Sequence, residues 1–163
     1  VVELAEEQLA VQAIHRLVVG PPRGLDVVAA LGTHYRMEPT APPDATIATR
    51  MQRAGAVAVL TRDAAFLATA LPGTAQAAGH DLDTSRLDVA LASLPEHRLT
   101  YQPGWDRAWA AVASGEADAA VLMRPVTVAQ IAQVAQGGER MPPKTTYFWP
   151  KPRTGMVVRE LIG

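Results

Sequence analysis

The sequence predicts an α+β domain in which helices pack on a mixed β-sheet. In the C-terminal half, from residue 99 onward, short apolar patterns alternate with amphipathic patterns in the order strand, helix, strand, helix, strand. The chain has 163 residues, of which 48% are hydrophobic, and this is enough for one core. We therefore expect residues 1–163 to form a single domain.

The first nineteen residues carry two extended patterns, separated by the polar residues 6–8, and this predicts a hairpin. Alternation over residues 9–19 places His15 and Arg16 on opposite faces of the second strand. A histidine on an apolar face is most often a core residue whose ring nitrogens are satisfied. The Gly- and Pro-rich residues 20–24 end this strand.

Two helices and a loop are predicted next. A helix over residues 25–31 ends at Gly32, since glycine commonly follows the last helical residue. Residues 33–43 contain three prolines and are expected to form a loop. Asp44 is the predicted N-cap of a second helix, which ends at Gly55.

A pair of strands and a third helix follow. Residues 56–61 and 64–71 are predicted strands joined by a tight turn. Residues 72–83 show no period and are expected to be a connection. Thr84 or Ser85 is predicted to cap a helix that carries apolar residues at helical spacing. These residues are Leu87, Leu91 and Leu94.

The alternating C-terminal half supplies four further elements. Residues 98–101 and 119–123 read as strands, and residues 105–114 read as a helix. Thr127 is the predicted N-cap of a helix over residues 128–136. Each of these two helices is followed by a glycine, which indicates where it ends.

Residues 138–155 differ in composition from the rest of the chain. They contain no Ala, Val or Leu, but they contain both lysines of the sequence, Lys144 and Lys151. An ammonium group is a compact point charge that suits one oxygen of a phosphate or carboxylate. Two consecutive prolines before Lys144 fix an extended approach. We expect residues 144–149 to be a strand of the main sheet, paired with a strand over residues 156–161.

Charge is unevenly distributed along the sequence. Residues 139–159 carry five basic side chains and Glu139, a net charge of +4, so the remainder is −5 because the whole chain is −1. A positive patch on a mildly acidic body favours a small anionic metabolite as the partner. Nucleic acid is not expected as a partner, because it requires a broader basic surface.

Several classes of chemistry are excluded by composition and motif. The absence of cysteine excludes disulfides, zinc–thiolate sites and cysteine nucleophiles, and it fits a cytoplasmic protein. No apolar run is long enough to span a bilayer, so no membrane partner is expected. The four histidines lack metal-ligand spacing, and the phosphate-binding and dinucleotide-binding glycine motifs are missing. No metal is therefore predicted, and the sequence identifies no cofactor and no catalytic residue.

Two functions remain open at this point. The first is binding of a phosphorylated or carboxylated metabolite within a phosphotransferase-like enzyme, because phosphoryl transfer depends mainly on positioning and electrostatics. The second is a non-catalytic structural or dimerisation domain, with the aromatic run at residues 147–149 in the core or in a homodimer contact. The candidate ligand-binding residues are His15, Arg16, Arg140, Lys144, Thr145, Thr146, Tyr147 and Lys151.

The closing segment also resembles a known family. Residues 138–151, followed by Thr-Gly-Met-Val at 154–157, are similar to the C-terminal signature of the uncharacterised prokaryotic family called domain of unknown function 1015. The His-Arg-Leu-Val strand at 15–18 and the stretches 87–89 and 119–125 resemble other parts of that family. Thr145 and Trp149 stand where the family usually has serine and tyrosine.

The resemblance implies that this chain is the C-terminal part of a longer protein. Full-length members have an upstream half, a further expected partner, whose GHHR-containing loop resembles those of ParB-like phosphotransferases and free serine kinases. The resemblance includes both the His-Arg strand and the closing segment, and an arginine in an apolar strand needs a partner. We therefore predict that Arg16 lies near residues 139–151.

Overall fold

The structure is a computed structural model that describes residues 10–138 and 140–149. These residues form an α+β fold, as the sequence predicted. The strands are β1 (Ala10–Gln12), β2 (Ile14–Val19), β3 (Tyr35–Thr40), β4 (Val57–Leu60), β5 (Ala65–Ala70), β6 (Arg98–Pro103), β7 (Ala119–Leu122) and β8 (Tyr147–Trp149). The helices are α1 (Val27–Gly32), α2 (Ile47–Ala54), α3 (Pro72–Ala77), α4 (Asp83–Ala92), α5 (Trp105–Ser114) and α6 (Val128–Gln136).

Six strands form the main sheet in the order β3-β5-β4-β7-β2-β6. Each neighbouring pair of strands in this sheet is antiparallel. The sequence had predicted a sheet with both parallel and antiparallel pairs, but the described residues show antiparallel pairs alone. The predicted strand–helix–strand alternation is present, since α5 connects β6 to β7. These two strands run in the same direction, but β2 lies between them and is antiparallel to both.

The two faces of the sheet bury separate apolar clusters. Val18 of β2 belongs to one cluster with residues of α1 and α4, whereas the adjacent Leu17 belongs to the other with residues of α2 and α5. This separation follows from the alternation of side chains along a strand. The central strands β4 and β7 are buried at every position, because helices cover both of their faces.

Two expectations for the N-terminal half are wrong. Residues 33–43 are not all loop, because β3 pairs antiparallel with β5 over six residues. Pro39 is compatible with β3 because this strand is at the edge of the sheet, where a missing N–H leaves no ladder unpaired. Residues 72–83 are not an unstructured connection either. Pro72 begins α3, and proline is well suited to the first helical turn.

The helix ends follow the predicted signals in part. The left-handed Gly55 ends α2, but Asp44 bonds the backbone N–H of Thr46 at 2.8 Å and is not the N-cap. The predicted caps of α4 are wrong as well, since its N-cap is Leu82 and Thr84 lies within its first turn. At α6 the prediction is confirmed, because Thr127 forms a capping box with the third residue of the helix.

The aromatic segment does not join the main sheet as expected. Its strand, β8, pairs antiparallel with β1 in a separate two-stranded sheet. The predicted strand is shorter at its start because Lys144 has a left-handed φ of 59°, which is a turn conformation and not an extended one. The predicted partner strand at 156–161 and the first arm of the predicted hairpin lie outside the described residues.

The part of the chain that the structure describes includes no helix with the length and apolar character needed to cross a membrane.

Candidate anion-binding site

A cavity of about 130 Å³ lies at the carboxyl end of β7. It is bounded by the first turns of α4 and α6 and by the turn over residues 142–145. Charged and hydroxyl groups are frequent in its lining, which is unlike an apolar packing defect. The polar lining residues are Arg16, Gln52, Asp81, Asp83, Thr84, Arg124, Thr127, Gln130 and Thr145.

Arg16 reaches this cavity from β2, the strand beside the edge strand β6, and is only 3% exposed. Its Nη1 donates to the carbonyl oxygens of Ile14 at 2.6 Å and Lys144 at 3.0 Å, and its Nη2 donates to that of Pro143 at 3.3 Å. The ring of Tyr101 lies 5.4 Å from the guanidinium carbon. The prediction that Arg16 lies near the closing segment is therefore confirmed.

The positive charge of Arg16 lacks a direct counter-ion. Among the described residues, no carboxylate oxygen lies within 4.0 Å of its guanidinium. Burial lowers the pKa of Arg16, while Tyr101 and Asp88 act in the opposite direction from a greater distance. A buried charge that meets only neutral carbonyls is costly, because their dipoles do not replace a full counter-charge.

Two N–H donors of Arg16 are also unused. A guanidinium has five, and the three bonds above leave Nε–H and one N–H of Nη2. The hydrogen bonds of Arg16 to described residues use only Nη1 and Nη2, and none of them uses Nε. Nε and Nη2 share one edge of the guanidinium, and a carboxylate or phosphate binds such an edge through two oxygens.

Arg124 shows this edge-on geometry within the same cavity. Its Nε and Nη2 donate to the two oxygens of Asp83 at 2.7 and 2.6 Å, and this bonding raises the pKa of Arg124. Asp83 also lies 3.6 Å from Arg86, which in turn bonds Asp81 at 2.5 Å. Both carboxylates of the lining are thus already neutralised by arginines other than Arg16.

Neutral donors are available beside these charges. The N-cap of α4 is Leu82, whose apolar side chain makes no hydrogen bond to the N–H groups of the first turn. Thr84 lies in this turn. Thr84 is 3% exposed, lines the cavity, and its hydroxyl has no hydrogen bond with any described residue. Helix N-termini favour anions because their first N–H groups and the helix dipole point the same way.

The turn over residues 142–145 closes one side of the cavity. Thr145 is buried in the lining, and its hydroxyl donates to the carbonyl of Pro142 at 2.6 Å. Lys144 contributes its backbone carbonyl to Arg16, while its side chain is exposed and does not line the cavity. Arg140, Thr146 and Tyr147 lie in the same segment, also outside the lining.

His15 and Lys151 are the remaining residues predicted from sequence. His15 is on the opposite face of β2 from Arg16, and its Nδ1 accepts from the backbone N–H of Met123 at 3.1 Å. Burial, with a further effect of Arg16, lowers the pKa of His15 to about 4, whereas Asp106 acts in the opposite direction. His15 therefore bonds the backbone of Met123, which lines the cavity, but His15 does not line the cavity itself. Lys151 lies outside the described residues.

Comparisons with known proteins place the fold but not the family. No protein-family model and no curated protein matches the chain. Free serine kinase in complex with AMP is 17% identical, with a TM-score of 0.56 over 90% of this chain and 56% of that chain. A mutant of the same kinase in complex with ADP gives 16% identity, a TM-score of 0.57 and coverage of 90% and 56%.

A conserved hypothetical protein from Pyrococcus furiosus is also similar, with 17% identity, a TM-score of 0.56 and coverage of 90% and 59%. The chain shares the fold of these structures. It spans less than 60% of the length of each of them.

Proposed function

We propose that this chain is part of a phosphotransferase-like enzyme and that its cavity binds the anionic group of a small phosphorylated or carboxylated metabolite. Arg16 binds two oxygens of the anion through Nε and Nη2. The hydroxyl of Thr84 and the first N–H groups of α4 act as neutral donors, and Lys144 adds a positive charge at the surface nearby.

One observation carries the proposal. Arg16 is 3% exposed, has two unused donors on one edge, and meets only carbonyl oxygens and an aromatic ring. A purely structural arginine at this depth would be expected to have a carboxylate partner, as Arg124 has in Asp83. An anion in the cavity supplies a direct counter-charge, which Asp88 supplies only at longer range.

Two further points support the wider assignment. The similar folds include free serine kinase, whose structures contain AMP or ADP, which are phosphorylated ligands. The resemblance of residues 138–157 to the family called domain of unknown function 1015 supports membership of that family and the presence of an upstream half in the whole protein. The volume of about 130 Å³ accommodates a phosphoryl or carboxyl group, and a nucleotide would have its base outside.

Calorimetry tests the proposal. We expect inorganic phosphate, acetate or AMP to bind the chain, and Arg16→Lys to weaken this binding by about tenfold or more, because a lysine cannot form the two-oxygen contact. Arg50→Lys is the matched control, since Arg50 also bonds carbonyls of a proline-containing loop but lies outside the cavity.

Two results would contradict the proposed anion site. If Arg16→Lys remains folded and binds these anions as tightly as the unchanged chain, Arg16 is not the anion ligand. If none of the anions binds and sedimentation shows a dimer that Tyr147→Ala dissociates, the structural alternative is the better function.

A further inference from the structure

The turn at residues 142–145 has an unusual backbone. Lys144 has φ of 59° and is the one non-glycine residue with positive φ in the described ranges. The left-handed region is disfavoured for a residue with a Cβ atom, so surrounding contacts must hold it there. Within the turn itself, the hydroxyl of Thr145 donates to the carbonyl of Pro142, which is three residues earlier in the chain.

The long-range contacts of this turn come from Arg16. Its guanidinium bonds the carbonyls of Lys144 and Pro143, which lie 128 and 127 residues away along the chain. Both bonds are to backbone atoms, so they fix the path of the main chain. The exposed side chain of Lys144 is attached to this fixed backbone.

We infer that Arg16 is a positioning residue that couples anion binding to the turn carrying Lys144. This rests on the proposed function, in which the other edge of the same guanidinium holds the anion. A guanidinium is planar and rigid, so an anion on the edge formed by Nε and Nη2 fixes the orientation of the edge that bonds the turn. Anion binding then holds Lys144 in place, and loss of the turn weakens the anion site.

The two lysines of the sequence make this inference easy to test. A lysine-specific protease cuts after lysine, and fragment masses distinguish a cut after Lys144 from a cut after Lys151 or, in the Arg16→Lys variant, after residue 16. Lys144 is exposed but Thr145 is 6% exposed, and cutting requires the turn to open. The rate of cutting therefore measures the population of the open turn when closing is fast.

The probe is inorganic phosphate, with sodium chloride at equal ionic strength as the solvent control. At ten times its dissociation constant, phosphate should slow cutting of the unchanged chain by about tenfold, since it binds the closed state. Arg16→Met should speed cutting by about tenfold or more, because two charged hydrogen bonds to the turn are lost. Arg16→Lys should show little dependence on phosphate.

Three controls make the rates interpretable. A short lysine peptide shows whether phosphate affects the protease itself. Arg50→Met removes an arginine that bonds carbonyls in another loop, and it should leave cutting at Lys144 unchanged. If Arg16→Met fails to fold, hydrogen exchange at residues 144–146 of the unchanged chain, with and without phosphate, gives the same comparison.

The possible outcomes separate this inference from the proposed function. Binding of phosphate by calorimetry without any change in cutting or exchange would overturn the coupling and leave the anion site intact. Equal slowing of the unchanged chain and of Arg16→Lys would also overturn it. Absence of phosphate binding would contradict the proposed function, and faster cutting of Arg16→Met would then support the positioning role alone.

Discussion

Thr84 and Thr74 provide a matched pair of buried threonines that tests the site without removing a charge. They are 3% and 5% exposed, respectively. Thr84 lines the cavity with no hydrogen bond to any described residue, whereas the hydroxyl of Thr74 lies 3.2 Å from Nδ1 of His34. Valine has nearly the shape of threonine, so each substitution mainly removes a hydroxyl.

The two variants should therefore separate stability from binding. Thr84→Val should leave the free energy of unfolding unchanged or raise it by up to about 1 kcal/mol, because a partly buried hydroxyl without a partner is unfavourable. Thr74→Val should lower it by about 1 kcal/mol, since the bond to His34 is lost. A hydrogen bond to a charged acceptor contributes about 1.5 kcal/mol or more, so Thr84→Val should weaken phosphate binding by about tenfold.

Urea unfolding and calorimetry measure these quantities on the same samples. Thr74→Val should bind phosphate like the unchanged chain. The reasoning is refuted if Thr84→Val is destabilised as much as Thr74→Val, because Thr84 would then have an acceptor within the fold. Unchanged phosphate binding by a folded Thr84→Val would remove Thr84 from the anion site.

Three other predictions concern stability, charge and pH. Lys144→Gly should raise the free energy of unfolding in urea by up to about 1 kcal/mol by removing left-handed strain. Lys144→Met should change this free energy by less than about 1 kcal/mol and should weaken phosphate binding less than Arg16→Lys does, because the Lys144 side chain does not line the cavity. Asp83→Asn should lower the free energy of unfolding by about 3 kcal/mol, because it leaves the partly buried Arg124 without its counter-charge. A loss below about 1 kcal/mol would show that the ion pair between Asp83 and Arg124 is not important for stability. The folded pKa of His15 is about 4, below its usual 6.5, so the unfolded chain binds more protons than the folded chain between pH 4 and pH 6.5. The free energy of unfolding should therefore fall by up to about 3 kcal/mol as the pH is lowered from 6.5 to 4. His15→Asn keeps an acceptor for the N–H of Met123 and should reduce this dependence of stability on pH.

Local signals predicted several elements of the fold well. The capping box at Thr127 and the left-handed Gly55 each depend on residues within one helical turn, so the sequence contains the whole signal. Strand β3 was missed because Pro39 is unfavourable in most strands, and only its position at the sheet edge makes it acceptable. Edge position is a property of the assembled sheet and cannot be read from six residues.

The site was predicted in part for the same reason. Arg16 and Thr145 were identified, because an arginine in an apolar strand and a polar run between prolines are visible locally. Asp83 and Arg124 were missed, since 41 residues separate them and neither stands in a recognisable motif. The left-handed turn at Lys144 was predicted to be extended, because Arg16, which bonds its carbonyl, is 128 residues away in sequence.

The pairing of β1 with β8 determines when the site can exist. Three residue pairs join positions 10–12 to positions 147–149, and a single residue separates β1 from the strand that carries Arg16. Such a short ladder between distant segments has a high loop-closure cost and should form after the main sheet. Until then Arg16 lacks its bonds to Pro143 and Lys144, so anion affinity would arise only in the last step of folding.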